Sequence, residues 1–348
     1  MRPIGLTIAL LAGGAIVLNQ AAAQTLREFS GVKSVSIEDF TGTVEIIVGG
    51  DKVAATLTDG ARSTPVHMEV KNGVFVIAGE PRRKNFNIHD EIDWRRDRER
   101  AFEIYLQAYP TLSIRAPAGS GVALERAIVM AKAGDTKGDF RIDGGYVDAV
   151  IGDIRNADIK IVSSNDVALG HVTEALSVRI NGSGDVDALS AGRAALRVSG
   201  SGDIEVGPIA GDADIQIGGS GDVLAKSVSG KAAVTIGGSG DVRIGEARGG
   251  AALSIAGSGD IGVSHISGPA AANIAGNGDI TIDRGRAENL TVSIAGSGDF
   301  SFGGVSTNLD VSVVGSGDVF VAENEGSLRH SGRGEIVVGG RRLTKNDR

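Results

Sequence analysis

The nonapeptide Ile-Ala-Gly-Ser-Gly-Asp-Ile-Gly-Val, residues 255–263, nearly copies the segments on either side of it. Gly-Ser-Gly-Asp recurs at 182–185, 200–203, 219–222, 238–241, 257–260, 296–299 and 315–318, with Gly-Asn-Gly-Asp at 276–279. Aligned on Asp185, Asp203, Asp222, Asp241, Asp260, Asp279, Asp299 and Asp318, the steps are 18, 19, 19, 19, 19, 20 and 19 residues. A fixed period of that length marks a repeat architecture, in which each unit buries its apolar side only against its neighbours.

The columns around the aspartate set the local structure. Five residues before it stand Ile180, Val198, Ile217, Ile236, Ile255, Ile274, Ile294 and Val313, and one after it Val186, Ile204, Val223, Val242, Ile261, Ile280, Phe300 and Val319. Apolar residues also occupy the positions seven before and three after, with Ser, Thr, Arg, Gln, Asp and Glu between them. Alternation on both sides of a Gly-rich corner predicts two short strands, each with one buried face. A third apolar position and a further glycine close each unit, as at Ile209 and Gly211, Val228 and Gly230, Ile266 and Gly268. The expected fold is an all-β parallel β-helix of ~19-residue rungs stacked at the inter-strand spacing of ~4.8 Å. Weaker units extend it: 119–124 without the Asp, 136–142 with Asp139, 163–169 with Asp166, and 332–338 with Glu335 in place of Asp. The step of 27 residues from Asp139 to Asp166, with Asp153 between, predicts a longer or irregular rung there.

Two readings compete for the motif. As a corner, its glycines supply positive φ and its Asp and Ser bond nearby backbone amides. As a metal site, it would have to match the calcium-binding nonapeptide repeats, whose period is nine and whose Asp is differently placed. Both spacing and register fail, so the eight aspartates are expected to form a structural ladder, with opportunistic cation binding as the alternative. Carboxylates ~5 Å apart repel by somewhat under 1 kcal/mol per pair in bulk water, so the ladder needs screening.

Composition narrows the function. The chain has 348 residues, a net charge of −8, 53 glycines, 4% aromatics and no cysteine. The core must therefore come from Val, Ile, Leu and Ala, and disulfides and thiolate metal sites are excluded. The acidity argues against nucleic acid. Arg2, the apolar run Ile4–Leu18 and the Ala-rich segment ending at Ala23 predict a secretory signal peptide, 1–23, and an exported chain. No later apolar run is long enough for a transmembrane span. The five histidines are scattered, and neither a nucleophile elbow nor a phosphate loop occurs. No catalytic residue, metal or cofactor is assigned. The enzyme alternative is a polysaccharide lyase or hydrolase, for which Asp139, Asp153 and Asp166 are the available acids; the repeat half lacks the aromatic platforms of a sugar cleft.

Residues 24–118 lack the period but alternate as strands, and 66–78 reads as a hairpin turning at Asn72-Gly73. Residues 102–117 read as two more strands broken at Pro110. One insertion, 82–100, is dense in both charges and holds the only Trp. It is expected to be a solvated loop or short helix; as a partner-binding loop it would act through Trp94, Arg95, Arg96 and nearby Tyr105, because aromatic and Arg residues anchor interfaces. The organisation is then signal peptide 1–23, an irregular β-rich capping segment 24–118, the β-helix 119–340 and a polar tail 341–348.

The Gly-Ser-Gly-Asp corners, the opening "FSGVKSVSI" (29–37), the strand pair in "KNGVFVIAG" and the passage "YPTLSIRAPAGSG" (109–121) resemble the bacterial head GIN domain family, the putative auto-transporter adhesins, over roughly residues 28–325. The resemblance implies a right-handed β-helix, similar in shape to pectin lyases and without an active site, serving adhesion. The polar, basic end "GGRRLTKNDR" has no barrel-like strands, so a soluble periplasmic or released factor is expected, with a protein or glycan partner at the cell envelope.

Overall fold

The structure is a computed structural model that describes residues 16–17, 25–62, 64–82, 87–88, 91–92 and 98–344. The expected signal peptide, 1–23, falls outside them except for Ile16 and Val17. The described chain is nearly all strand and divides into two compact units, residues 1–170 and 171–348.

The second unit is a parallel β-solenoid. Each rung contributes a strand after the Gly-rich corner, such as Val223–Val228, and one before it, such as Ala232–Ile236. Each stacks in register on its equivalents, so Val223 pairs with Val242, Val242 with Ile261 and Ile261 with Ile280. On the other sheet Ile217, Ile236, Ile255, Ile274 and Ile294 form one continuous isoleucine ladder, every member at most 2% exposed. Burial strictly alternates along Ala213–Ile217 and Ala232–Ile236. β-branched side chains fill so narrow an interior well, and each buried Ile or Val contributes ~1.5–3 kcal/mol.

The corner glycines act differently from expectation. Among the described glycines of these motifs only Gly315 has a positive φ, and at 156° it is almost extended. Positive φ is used instead at the opposite bend, as at Gly250 (86°) and Gly268 (95°). The motif glycines are required because backbone lies against backbone. A Cβ on Gly240 would sit 2.0 Å from the carbonyl oxygen of Gly221, and one on Gly238 2.0 Å from that of Gly219. The same clash recurs at Gly200, Gly202, Gly257, Gly259, Gly276 and Gly278, each over the equivalent glycine one rung back.

The aspartates close the gap that the corner leaves in the backbone ladder. The backbone N–H of Asp203 donates to Oδ1 of Asp185 at 2.8 Å. The pattern repeats through Asp222, Asp241, Asp260, Asp279, Asp299 and Asp318, at 2.7–2.9 Å. Glu335 N–H ends the series on Oδ1 of Asp318, and the Glu335 carboxylate meets Arg342 at 3.4 Å. From Asp203 to Asp318 each Asp carbonyl meanwhile accepts from the residue after the Asp of the preceding rung, as Asp222 O does from Ile204 N–H. The corner serines contribute their backbone; Ser239 N–H donates to Gly219 O while its side chain is exposed.

The first unit uses the same stacking in a different chain order. Strands Ser34–Glu38 and Thr41–Val48 form one rung. On one side it pairs in parallel with Gly121–Glu125 and Ile128–Ala133, on the other with Val74–Ala78 and Thr111–Ala116. The first rung of the chain is therefore sandwiched between the second and the third. Antiparallel strands close the outer side: His67–Lys71 covers Val74–Ala78, and Val53–Thr58 covers Thr111–Ala116. The hairpin turns at Asn72 (φ 51°) and Gly73 (φ 78°), the two-residue geometry that Asn-Gly favours.

Two expectations are corrected here. Residues Arg98–Leu106 are helix, because Phe102 and Leu106, four apart, share one face and pack with Ile128 and Tyr146. The 27-residue step is a rung and a half. Asp139 stacks on Asn156, 17 residues on, whereas the partner of Asp166 is Asp148, whose Oδ1 accepts its N–H at 3.0 Å.

Two pairs of substitutions test the corner. Gly240→Ala should destabilise by ~3 kcal/mol or more, since the new methyl faces fixed backbone, while Ser239→Ala should be close to neutral. Asp260→Ala strips the acceptor from Asp279 N–H and should cost ~1 kcal/mol, as loss of a helix cap does, whereas Asp260→Asn should cost under ~0.5 kcal/mol. Urea unfolding of the four variants measures both differences.

Candidate functional site

The eight repeat aspartates lie in the ladder just described, each with one carboxylate oxygen committed to a backbone N–H of the next rung. That bond offsets part of the mutual repulsion, since a hydrogen bond to an ionised acceptor is among the stronger ones. Arg243 adds a cation between two members, 3.1 Å from Asp241 and 3.9 Å from Asp222. Among the described residues no group of three or more His, Cys, Asp or Glu side chains converges closely enough to hold a metal ion.

Of the acids available to an enzyme, Asp139 has its carboxyl bonded into the stack. Asp139 is gripped by Arg155 at 2.9 and 3.0 Å and by Asn156 at 2.8 Å, and the Arg155 guanidinium holds its carboxyl below the usual range, the reverse of what a proton donor needs. The backbone N–H groups of Asp153 and Asp166 donate to Asp135 and Asp148.

The charged insertion is tied to the first unit at both ends. Arg82 donates through Nη1 to the carbonyl of Arg126 at 2.7 Å and through Nη2 to Phe40 O and Thr41 Oγ1 at 3.3 Å. Burial pulls this guanidinium below its ordinary pKa, against the pull of Asp39. Arg126 itself forks onto Asp39 at 2.9–3.2 Å, joining two corners that both run at positive φ, 51° at Asp39 and 49° at Arg126. At the other end Ile88, Ile92, Phe102 and Leu106 bury against Ile128 and Tyr146. The Phe102 and Tyr146 rings pack at a tilt of 57°, their centroids 4.6 Å apart.

The expected partner-binding residues Trp94, Arg95 and Arg96 lie outside the described residues. Tyr105 is described, and the structure gives it company that residue spacing alone did not reveal. Its hydroxyl is 2.9 Å from that of Tyr109, the rings lie 5.0 Å apart, and the Arg62 guanidinium covers the Tyr109 ring at 5.8 Å. Burial, and then the bond to Tyr109, push the Tyr105 phenol well above its ordinary pKa. Arg62 is 47 residues from Tyr109 in sequence, and only folding joins them. Tyr105 and Tyr109 are half-buried, and Ile104 beside them is 57% exposed. The result is a partly exposed patch of two aromatics and one cation.

No helix among the described residues is long and apolar enough to cross a membrane. No curated protein matches the chain. Among solved structures, a "putative adhesin" from Bacteroides fragilis is 16% identical, with 75% of this chain and 97% of that one covered and a TM-score of 0.36. A "putative adhesin" from Parabacteroides distasonis is 12% identical over 89% and 98% of the two chains, with a TM-score of 0.28. A "putative lipid binding protein" from the same species is 13% identical over 90% and 96%, with a TM-score of 0.26. The profile of the family described as "Putative auto-transporter adhesin, head GIN domain" matches residues 41–264 and 214–325. With most of its length matched, and with the stacked Gly-Ser-Gly-Asp corners accounting for its fold, the chain belongs to the head GIN domain family.

Proposed function

We propose that this chain is an exported, non-enzymatic scaffold that binds a protein or glycan ligand at the bacterial cell envelope, as an adhesin does. The observation that carries the reading is the patch of Arg62, Tyr105 and Tyr109. A chain with 4% aromatics places two of its three tyrosines side by side and half-exposed, with an arginine over one ring. Tyr and Arg are the side chains that most often dominate interface energetics, and a rigid stack presents them at low ordering cost. Family membership supports the adhesive role. The engagement of Asp139 by Arg155, and of the ladder carboxylates by backbone N–H groups, supports a frame whose acids serve structure. The signal-peptide pattern read in residues 1–23 of the sequence supports export.

Co-sedimentation with purified outer-membrane vesicles and with peptidoglycan sacculi tests this. The mature chain, beginning at Gln24 by mass spectrometry, should pellet with one of them above an unrelated β-solenoid control. Arg62→Ala combined with Tyr109→Ala should lower the apparent affinity at least about tenfold, the equivalent of ~1.4 kcal/mol. No pelleting, an undiminished double variant, or release of reducing ends from envelope polysaccharide would each refute the proposal.

A further inference from the structure

A shallow groove of about 560 Å³ crosses one face of the second unit, far along the sequence from the Arg62–Tyr109 patch. Its polar lining is His171, Thr173, Ser190, Ser227, Ser229 and Arg248. Its volume lies within the ~300–1,000 Å³ of sites that take small molecules. The groove follows from the sequence of the bend opposite the Gly-Ser-Gly-Asp corner. There the side chains of successive rungs shrink to Gly192, Ala210 and Ser229, while His171 stands at one end and Arg248 at the other. Five successive rung positions contribute, so the groove runs about 19 Å along the stacking direction at ~4.8 Å per rung.

The lining restricts the ligand. The backbone beneath it is already paired: Ala210 N–H donates to Ala191 O, Gly211 to Gly192, Ser229 to Ile209 and Arg248 to Val228. No strand edge is open, so a peptide has no main-chain partner to add to. The lining holds no Phe, Tyr or Trp, and its rings are only those of His171 and Pro208, so a neutral sugar has no broad stacking platform. Between small apolar side chains the lining offers a row of hydroxyls, the His171 imidazole and one guanidinium. Ser190 and His171 hold each other at 2.8 Å, which fixes the imidazole at its end. Glu246 holds Arg248 through Nη2 at 2.7 Å, leaving most of its five N–H donors for a ligand. The register continues Glu246 into His265 and Arg284, so further basic side chains extend the strip past the Arg248 end.

We infer that this groove binds an acidic oligosaccharide, an extended polyol chain whose hydroxyls meet Thr173, Ser190, Ser227 and Ser229 and whose carboxylate meets Arg248. The four hydroxyls it would meet both donate and accept, as sugar hydroxyls do. Charge enters at one end, matching a uronic acid unit, and guanidinium to carboxylate is the geometry arginine forms best. The groove is separate from the Arg62–Tyr109 patch and depends on none of its residues, so either can fail alone.

Titration calorimetry of the mature chain with a hexamer of α-1,4-linked galacturonic acid tests the inference, with a neutral glucose hexamer and hexaglutamate as comparisons. Measurable binding is expected for the uronate hexamer, weakening as salt rises. Arg248→Gln should raise its Kd about tenfold, Ser227→Tyr, which fills the groove, should abolish binding, and Tyr109→Ala should leave it unchanged. Both groove positions lie on the solvent side, and circular dichroism verifies that each variant is folded. No heat with the uronate hexamer at millimolar concentration, equal affinity for the neutral hexamer or for hexaglutamate, or an unchanged Kd in Arg248→Gln would overturn it.

Discussion

Everything in the second unit depends on one contact: the α-carbon of a corner glycine resting on the carbonyl oxygen of the same glycine one rung back. That contact leaves no room for a Cβ, since one placed on Gly240 or Gly259 would lie 2.0 Å from fixed backbone. It brings consecutive corners close enough for strands on both sides to pair in register, and register is what puts isoleucine on isoleucine for five rungs. A slip of one residue would turn every buried column outward, so corner and core enforce each other. Stability in such a stack is close to a sum over neighbours, which explains how one short motif can be reused with little change.

The aspartate ladder follows from the same geometry. A chain that turns sharply while its backbone is pressed against the previous turn leaves an N–H that no carbonyl reaches. The carboxylate of the preceding rung takes the carbonyl's place, from Asp185 to Glu335. Repulsion between stacked carboxylates is then tolerated because each one is bonded to a backbone dipole, open to water on its other oxygen, or, at Arg243 and Arg342, near a cation. The acids recur because the backbone defect recurs.

The Arg62–Tyr109 patch and the groove arise where the repeat is interrupted or its side chains shrink. The insertion after Arg82 is anchored by corner carbonyls and an apolar cluster, and it sets Tyr105 and Tyr109 beside Arg62. The bend opposite the motif carries no conserved-looking polar residue in the repeat, so its outer face varies freely from rung to rung, and Gly192, Ala210 and Ser229 open a groove there. A frame satisfied by its own backbone leaves outward side chains free to diversify without cost to folding.

The amino-acid sequence by itself determined the period, the two strands per rung, the buried columns and the place of each corner aspartate, because in a one-dimensional stack the neighbours of residue i are residues i ± 19 and local spacing equals spatial contact. It also determined the Asn72-Gly73 hairpin, which is a local event. Tertiary structure alone decided what depends on distant or half-rung partners. The rung 34–48 is sandwiched by 74–116 and 121–133, an order no period reveals. Asp139 belongs to the other side of its rung from Asp166, so counting residues between them mixed two columns. Phe102 and Leu106 form a helix face because Ile128 and Tyr146 offer it an apolar surface, which overrides the strand-like alternation of 102–106. The glycines looked like residues chosen for their φ; they are there because a carbonyl oxygen from 19 residues back occupies the space of a side chain.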